Sequence, residues 1–150
     1  MGPFDAGRGV TPIMRTALDT NIISAVWSGS APAAHVAGML AKAANEGALV
    51  ISAPVYVELT AYPNVTSQYL DQFLASTRVQ VDFAIEEPVW RETAQRYAAS
   101  ARRRRKSGGG EAKRLLADFL IGAHAFLQAD RLFTLDPHRF EQDFPKLRLM

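Results

Sequence analysis

Four carboxylates in this chain stand alone in surroundings that offer them little solvation. Asp19 is the only charge between Arg15 and His35, and Glu58 the only one between Glu46 and Asp71. Asp118 is the sole formal charge in the run from Leu115 to Leu127, and Asp136 closes Leu132-Phe133-Thr134-Leu135. A buried, unpaired carboxylate costs several kcal/mol, so each should be paired, protonated or bound to a cation. Taken singly, three of them have plainer explanations. Asp19 could cap a following helix, Asp136 with Pro137 could form a turn, and Glu58 could face solvent from a helix. Asp118 has the fewest such escapes, because its neighbours are nearly all apolar. Four isolated acids in one small domain favour a common destination, a divalent cation site. With no cysteine in the chain, hard oxygen ligands favour Mg²⁺ or Mn²⁺ over zinc. Such an ion keeps several waters, so it can activate one and also hold a phosphate oxygen. The chemistry indicated is phosphodiester hydrolysis rather than storage of a structural ion.

Positioning these acids requires alternating strands and helices. Ile13 to Leu18 reads as a buried strand that delivers Asp19, and Asn21 to Trp27 as a short helix. Pro32 suits a helix start, and Ala33 to Asn45 carries Val36, Met39, Leu40 and Ala43 on one stripe, with Gly47 as its stop. Leu49 to Ile51 is a second buried strand, and Val55 to Ala61 a helix bearing Glu58 and ending before Pro63. Ser67 to Ala75 is amphipathic, and Val79 to Phe83 alternates as an edge strand would. Glu86, Glu87 and Pro88 open a helix from Val89 to about Ala101. Glu111 to Ala129 is a further helix, whose Leu115 to Leu127 stretch is apolar nearly all round and therefore central. Arg131 to Thr134 is a strand, Asp136-Pro137 a turn, and Leu147 to Leu149 a last strand. This order implies an α/β fold, a central parallel sheet flanked by helices on both faces. Ligands of such sheets gather beyond the carboxyl ends of the strands, where Asp19 and Asp136 would sit.

Length and composition set the limits. The 150 residues suit one domain, with 48% hydrophobic and 21% charged residues. Residues 1–13 (within MGPFDAGRGVTPI) read as a disordered leader or tag, and 14–150 as the domain. No apolar run approaches a membrane span, and no export signal opens the chain. The absence of cysteine fits a reducing, cytoplasmic setting. A net charge of +2 and a pI near 9.2 lean toward anionic partners.

Leu18-Asp19-Thr20-Asn21, Val57-Glu58, Asp118-Phe119-Leu120-Ile121-Gly122-Ala123-His124-Ala125 and Leu132-Phe133-Thr134-Leu135-Asp136 together resemble the PIN-domain nucleases. In length and layout the chain is most similar to the VapC toxins of bacterial toxin–antitoxin pairs. The resemblance spans about Met14 to Leu149 and keeps the family's motif order. It implies a PIN-like fold and Mg²⁺- or Mn²⁺-dependent endoribonuclease activity. It further implies that Asp19 and Asp118 are direct metal ligands and that Glu58 positions the attacking water. Asp136 would complete that site or a second, weaker one. Thr20, Asn21 and Thr134 match the family's polar neighbours. Attack in line on phosphorus would leave a 5′-phosphate and a 3′-hydroxyl. An RNA substrate, a homodimer and a cognate antitoxin reaching into the acidic groove are the partners implied.

Arg102-Arg103-Arg104-Arg105-Lys106 followed by Ser107 and three glycines is longer and more basic than the family pattern. Like charges at that density and the glycine run suggest a solvated, mobile loop. The functional alternative is a clamp on RNA phosphates that lies over the site as a lid. His124 follows Asp118 by six residues, about 240° around a helix, and reads as a core or interface residue. His138 reads as a turn histidine, and Trp27, Phe126, Tyr56 and Tyr62 as packing residues. A dehalogenase-type phosphatase would need a second acid where Asn21 stands, and a receiver domain would not explain Glu58 and Asp118. The alternative from another class is a non-catalytic PIN-like RNA-binding or scaffold protein, which would have no need for clustered, mutually repelling acids.

Overall fold

The structure, a computed structural model, describes residues 13–110 and 115–150. The sequence expectations for the leader and for residues 111–114 lie outside the described residues. Four parallel strands form one sheet: β1 (Met14–Leu18), β2 (Gly47–Ser52), β3 (Val79–Asp82) and β4 (Arg131–Phe133), in the order β3-β2-β1-β4. Leu18 pairs in register with Phe133, and Ala17 with Val50, so β1 is central. Consecutive residues Thr16 to Leu18, Leu49 to Ser52 and Arg131 to Phe133 are all buried. Because successive strand residues point to opposite faces, both faces of the sheet are covered, as a parallel sheet requires.

The covering helices are α1 (Thr20–Ser28), α2 (Ala33–Glu46), α3 (Ala53–Thr60), α4 (Ser67–Thr77), α5 (Glu87–Lys106), α6 (Leu116–Gln128) and the one-turn α7 (His138–Glu141). Residues Phe119 to Ala125 of α6 are buried without interruption, which makes it the central helix its composition indicated. Gly122 lets Phe144 lie against it: a β-carbon there would fall 2.5 Å from the Phe144 ring. Gly47 is needed for a similar reason, since its β-carbon would meet the Met14 carbonyl oxygen on the neighbouring strand. Each large apolar side chain fully buried in this core contributes about 1.5–3 kcal/mol.

Two local expectations are corrected and a third is extended. First, the basic run Arg102 to Lys106 is not a loop but the last turns of α5. Arginine and lysine are good helix formers, and cations at a helix C-terminus meet its negative dipole end. The helix stops only at the glycines, where Gly108 and Gly109 take left-handed φ values of 69° and 86°. Second, Leu147 to Leu149 is not a strand. Leu149 makes a single parallel bridge with Leu132 on the outer edge of β4. Third, the Asp136-Pro137 turn continues into α7, with Arg139 N–H donating to the Asp136 carbonyl at 3.2 Å. No helix among the described residues is long and apolar enough to cross a membrane.

Candidate active site

The chain runs β1, β2, β3 outward in one direction and then returns to place β4 on the other side of β1. That reversal opens a crevice between the carboxyl ends of β1 and β4, the place where open α/β sheets bind ligands. Asp19 follows β1 directly. Its backbone N–H donates to the Phe133 carbonyl at 3.0 Å, tying the two strand ends together. Its side chain is buried at 1% exposure and is nevertheless fully engaged. Oδ1 accepts the Thr20 N–H at 2.8 Å, so the plain reading of Asp19 as a helix cap holds. Oδ2 accepts the Thr134 hydroxyl at 2.8 Å and the Arg139 guanidinium at 2.7 Å.

The other acids arrive from separate elements. Asp118 lies in the first turn of α6, where a carboxylate is favoured by the helix dipole, and its side chain is 14% exposed. Asp136 follows β4 and is half exposed. Arg139 Nε stands 3.7 Å from Asp118 Oδ1 and 3.9 Å from Asp136 Oδ2. Three of the four predicted acids therefore gather around one guanidinium. The fourth, Glu58 on α3, makes no ion pair with Arg139 among the described residues. It is joined to Asp19 through Thr20, whose hydroxyl donates to Glu58 Oε1 at 2.6 Å while its N–H caps on Asp19.

The polar neighbours hold this arrangement in place. Thr134 Oγ1 donates to Asp19 and accepts the Asp136 N–H at 3.0 Å, which fixes the bend after β4. Asn21 accepts the Leu135 N–H at 3.2 Å through Oδ1, pinning α1 to the same bend. Beside Glu58 lies an apolar groove of about 570 Å³ formed by Pro54, Val57, Phe83, Trp90 and Leu120 among others. The basic run divides in two. Arg103 pairs with the buried Asp143 at 2.8 Å, whereas Arg102, Arg105 and Lys106 are exposed.

Arg139 is the residue that sequence reasoning missed. It sits in a polar stretch where charges are common, and only its spacing signals a role: three residues after Asp136, one helical turn on. Its Nε is buried and has no hydrogen-bond partner. Among the described residues, no three acidic or histidine side chains stand close enough together to hold a metal ion as they are. The donor set nonetheless suits Mg²⁺ or Mn²⁺: carboxylate oxygens from three elements already surround one cationic group.

The weaker candidates resolve into packing. His124 is 1% exposed, and its Nε2 lies 2.8 Å from Asp82 Oδ2. Desolvation lowers its pKa and Asp82 only partly offsets this, so the ring is neutral at neutral pH and Nε2–H donates. His138 is exposed at the start of α7 beside Glu141. Trp27 packs edge-on against Tyr62 and Phe73, and Tyr56 against Phe83.

Comparison with known proteins agrees with this architecture. The PIN domain family matches residues 16–143. The chain belongs to the PIN domain family. No curated protein matches it significantly. Among solved structures, VapBC-1 from nontypeable Haemophilus influenzae is similar at 25% identity and a TM-score of 0.61, over 91% of this chain and 97% of that one. VapBC2 from Rickettsia felis, bound to a DNA fragment from their promoter, is 23% identical with a TM-score of 0.58, over 91% and 98% of the two chains. FitAcB from Neisseria gonorrhoeae is 24% identical with a TM-score of 0.60, over 90% and 96%. The likeness of this PIN domain to VapC-type proteins, drawn first from its motifs, is borne out.

Proposed function

We propose that this PIN domain is a Mg²⁺- or Mn²⁺-dependent endoribonuclease and the toxin of a toxin–antitoxin pair. The observation that carries the proposal is the convergence of Asp19, Asp118 and Asp136, from three separate elements, on one cationic group at the β1/β4 crevice. PIN domains are generally nucleases, and the VapBC and FitAB neighbours support the toxin role and a cognate antitoxin.

A divalent ion held there would supply Lewis acidity toward a phosphoryl oxygen and lower the pKa of a water. Asp19 and Asp118 are the residues to hold it, and Asp136 completes the set from the crevice mouth. Thr134 and Thr20 fix the Asp19 carboxylate, so its oxygens do not reorganise as charge develops. Glu58, oriented by Thr20, positions the attacking water and takes its proton. In-line displacement leaves a 5′-phosphate and a 3′-hydroxyl. The exposed Arg102, Arg105 and Lys106 hold RNA phosphates without reading sequence. Exposed Val57, Phe83 and Trp90 give the apolar surface that a second copy or the antitoxin would cover. A cytoplasmic setting fits such a substrate.

The test is cleavage of structured RNAs with Mg²⁺ or Mn²⁺ and with EDTA, comparing the parent with Asp19→Asn and Asp118→Asn. Metal-dependent cutting lost in both variants is the result expected. Metal-independent cutting, or variants as active as the parent, would overturn the mechanism, and RNA binding without cleavage would favour the non-catalytic scaffold.

A further inference from the structure

We infer that Arg139 is the site's internal occupant, a tethered cation that holds the acid cluster together when no metal is bound and competes with a divalent ion for Asp19 Oδ2. The inference rests on the reading of Asp19 and Asp118 as metal ligands.

The geometry of the guanidinium sets it apart from a structural ion pair. Only its contact with Asp19, at 2.7 Å, is a hydrogen bond. Toward Asp118 and Asp136 it is merely near, at 3.7 and 3.9 Å, and the Nε that faces them is buried with no hydrogen bond. A guanidinium placed to make a forked, bidentate pair would use that N–H. This one bonds Asp19 alone and leaves the N–H nearest the other two acids unused.

Its single hydrogen bond is also the obstructive one. Asp19 Oδ2 already accepts from Thr134 and from Arg139, which fills both lone pairs of that oxygen. A metal can reach Oδ2 only by displacing one of them. Thr134 is buried and also accepts the Asp136 N–H, so it is locked into the bend after β4. Arg139 has 28% of its side chain exposed and sits on a one-turn helix with its guanidinium 5.3 Å from the centre of the Phe140 ring. Its exposed fraction gives it a route to solvent that Thr134 lacks, at the cost of the Phe140 ring contact as well as the Asp19 hydrogen bond. Magnesium takes oxygens at about 2.1 Å, far tighter than the spread around a guanidinium, so the acids must also draw together as Arg139 departs.

Two consequences follow. The apparent metal affinity is reduced by the fraction of molecules in which Arg139 fills the site. The metal-free fold is stabilised by the same contact, because removing it leaves Asp19 buried with one fewer compensating donor. The experiment is calorimetric titration of MnCl₂ into the parent, Arg139→Gln and Arg139→Lys chains, with melting curves in EDTA. Arg139→Gln should bind Mn²⁺ roughly tenfold or more tightly and melt lower in EDTA. Arg139→Lys keeps the charge without the fork, and should fall between; it carries the test if the glutamine variant does not fold without metal. Asp19→Asn should remove the binding heat in every background, which ties the signal to this site. Equal or weaker Mn²⁺ affinity in Arg139→Gln, with binding intact in the parent, would overturn the role of Arg139 alone. Binding by neither chain would overturn the metal site itself and this inference with it.

Discussion

Two of the centres that combine aspartate with arginine among the described residues are built differently. Around Asp82, one carboxylate oxygen receives two donors, Arg15 at 3.1 Å and His124 at 2.8 Å. The rest of Arg15 is also used: its Nε donates to the Gln128 carbonyl at 3.1 Å and its backbone N–H to Asp130 at 2.7 Å. The histidine is neutral, and the donors that face Asp82 are satisfied. Around Arg139 three carboxylates lie within ion-pair distance of one guanidinium, whose buried Nε–H makes no hydrogen bond. The centre around Asp82 locks β1, β3 and α6 together. The centre around Arg139 leaves a donor unused, and it is there that the proposed divalent ion would bind. Each centre buries charge, so what sets them apart is how completely their donors are used.

Substitutions should separate the two centres cleanly. The largest effect is expected from Asp19→Asn, which should lower RNA cleavage by at least about a hundredfold, the order lost with one group that stabilises developing charge. Single-turnover cleavage at saturating enzyme measures it, and activity within a few-fold of the parent would refute it. Asp82→Ala should do the reverse. It leaves His124 and Arg15 without their shared acceptor and should cost about 1–3 kcal/mol of stability, read by urea denaturation. Cleavage per folded molecule should stay at the parental level. A smaller change is expected from Arg102→Ala with Arg105→Ala, which spares the Arg103–Asp143 pair. The slope of log affinity for single-stranded RNA against log salt should flatten by about 0.7 for each phosphate that is no longer neutralised. An unchanged slope would remove the phosphate-binding role.

The smallest effect concerns pH and sharpens the contrast. His124 has a folded pKa below its unfolded value of about 6.5, chiefly through desolvation. The unfolded chain therefore binds the extra proton first as pH falls, so this residue's contribution is complete above about 6.5 and is lost on acidification toward the folded pKa. His124→Gln should show a shallower loss of melting temperature between pH 7 and 5 than the parent. Parallel curves would mean that His124 is not held neutral in the fold.

Much of the candidate site was legible because isolation is a strong signal. An acid such as Asp118 in a long apolar run has nowhere else to go, and parallel-sheet topology carries Asp19 and Asp136 to neighbouring strand ends. Arg139 was not legible in the same way. It lies among Pro137, His138, Glu141 and Gln142, where a charge has the surface as its default, and α7 is too short to show a periodicity. The basic run misled in the other direction. Repulsion among five cations argued for a loop, yet arginine's helix propensity, the helix dipole and the Asp143 partner outweigh it, and only the glycines end α5. The last strand was overestimated because Leu147-Arg148-Leu149 alternates, while the edge of β4 is only three residues long and accommodates one bridge.

The central claim, that Asp19 and Asp118 share a divalent ion in the β1/β4 crevice, is tested most directly by anomalous diffraction from crystals of the chain grown with Mn²⁺. The account predicts an anomalous peak within coordinating distance of both carboxylates, with the Arg139 side chain turned away from Asp19. A manganese peak elsewhere, or an acid cluster still closed on Arg139 at saturating Mn²⁺, would contradict it.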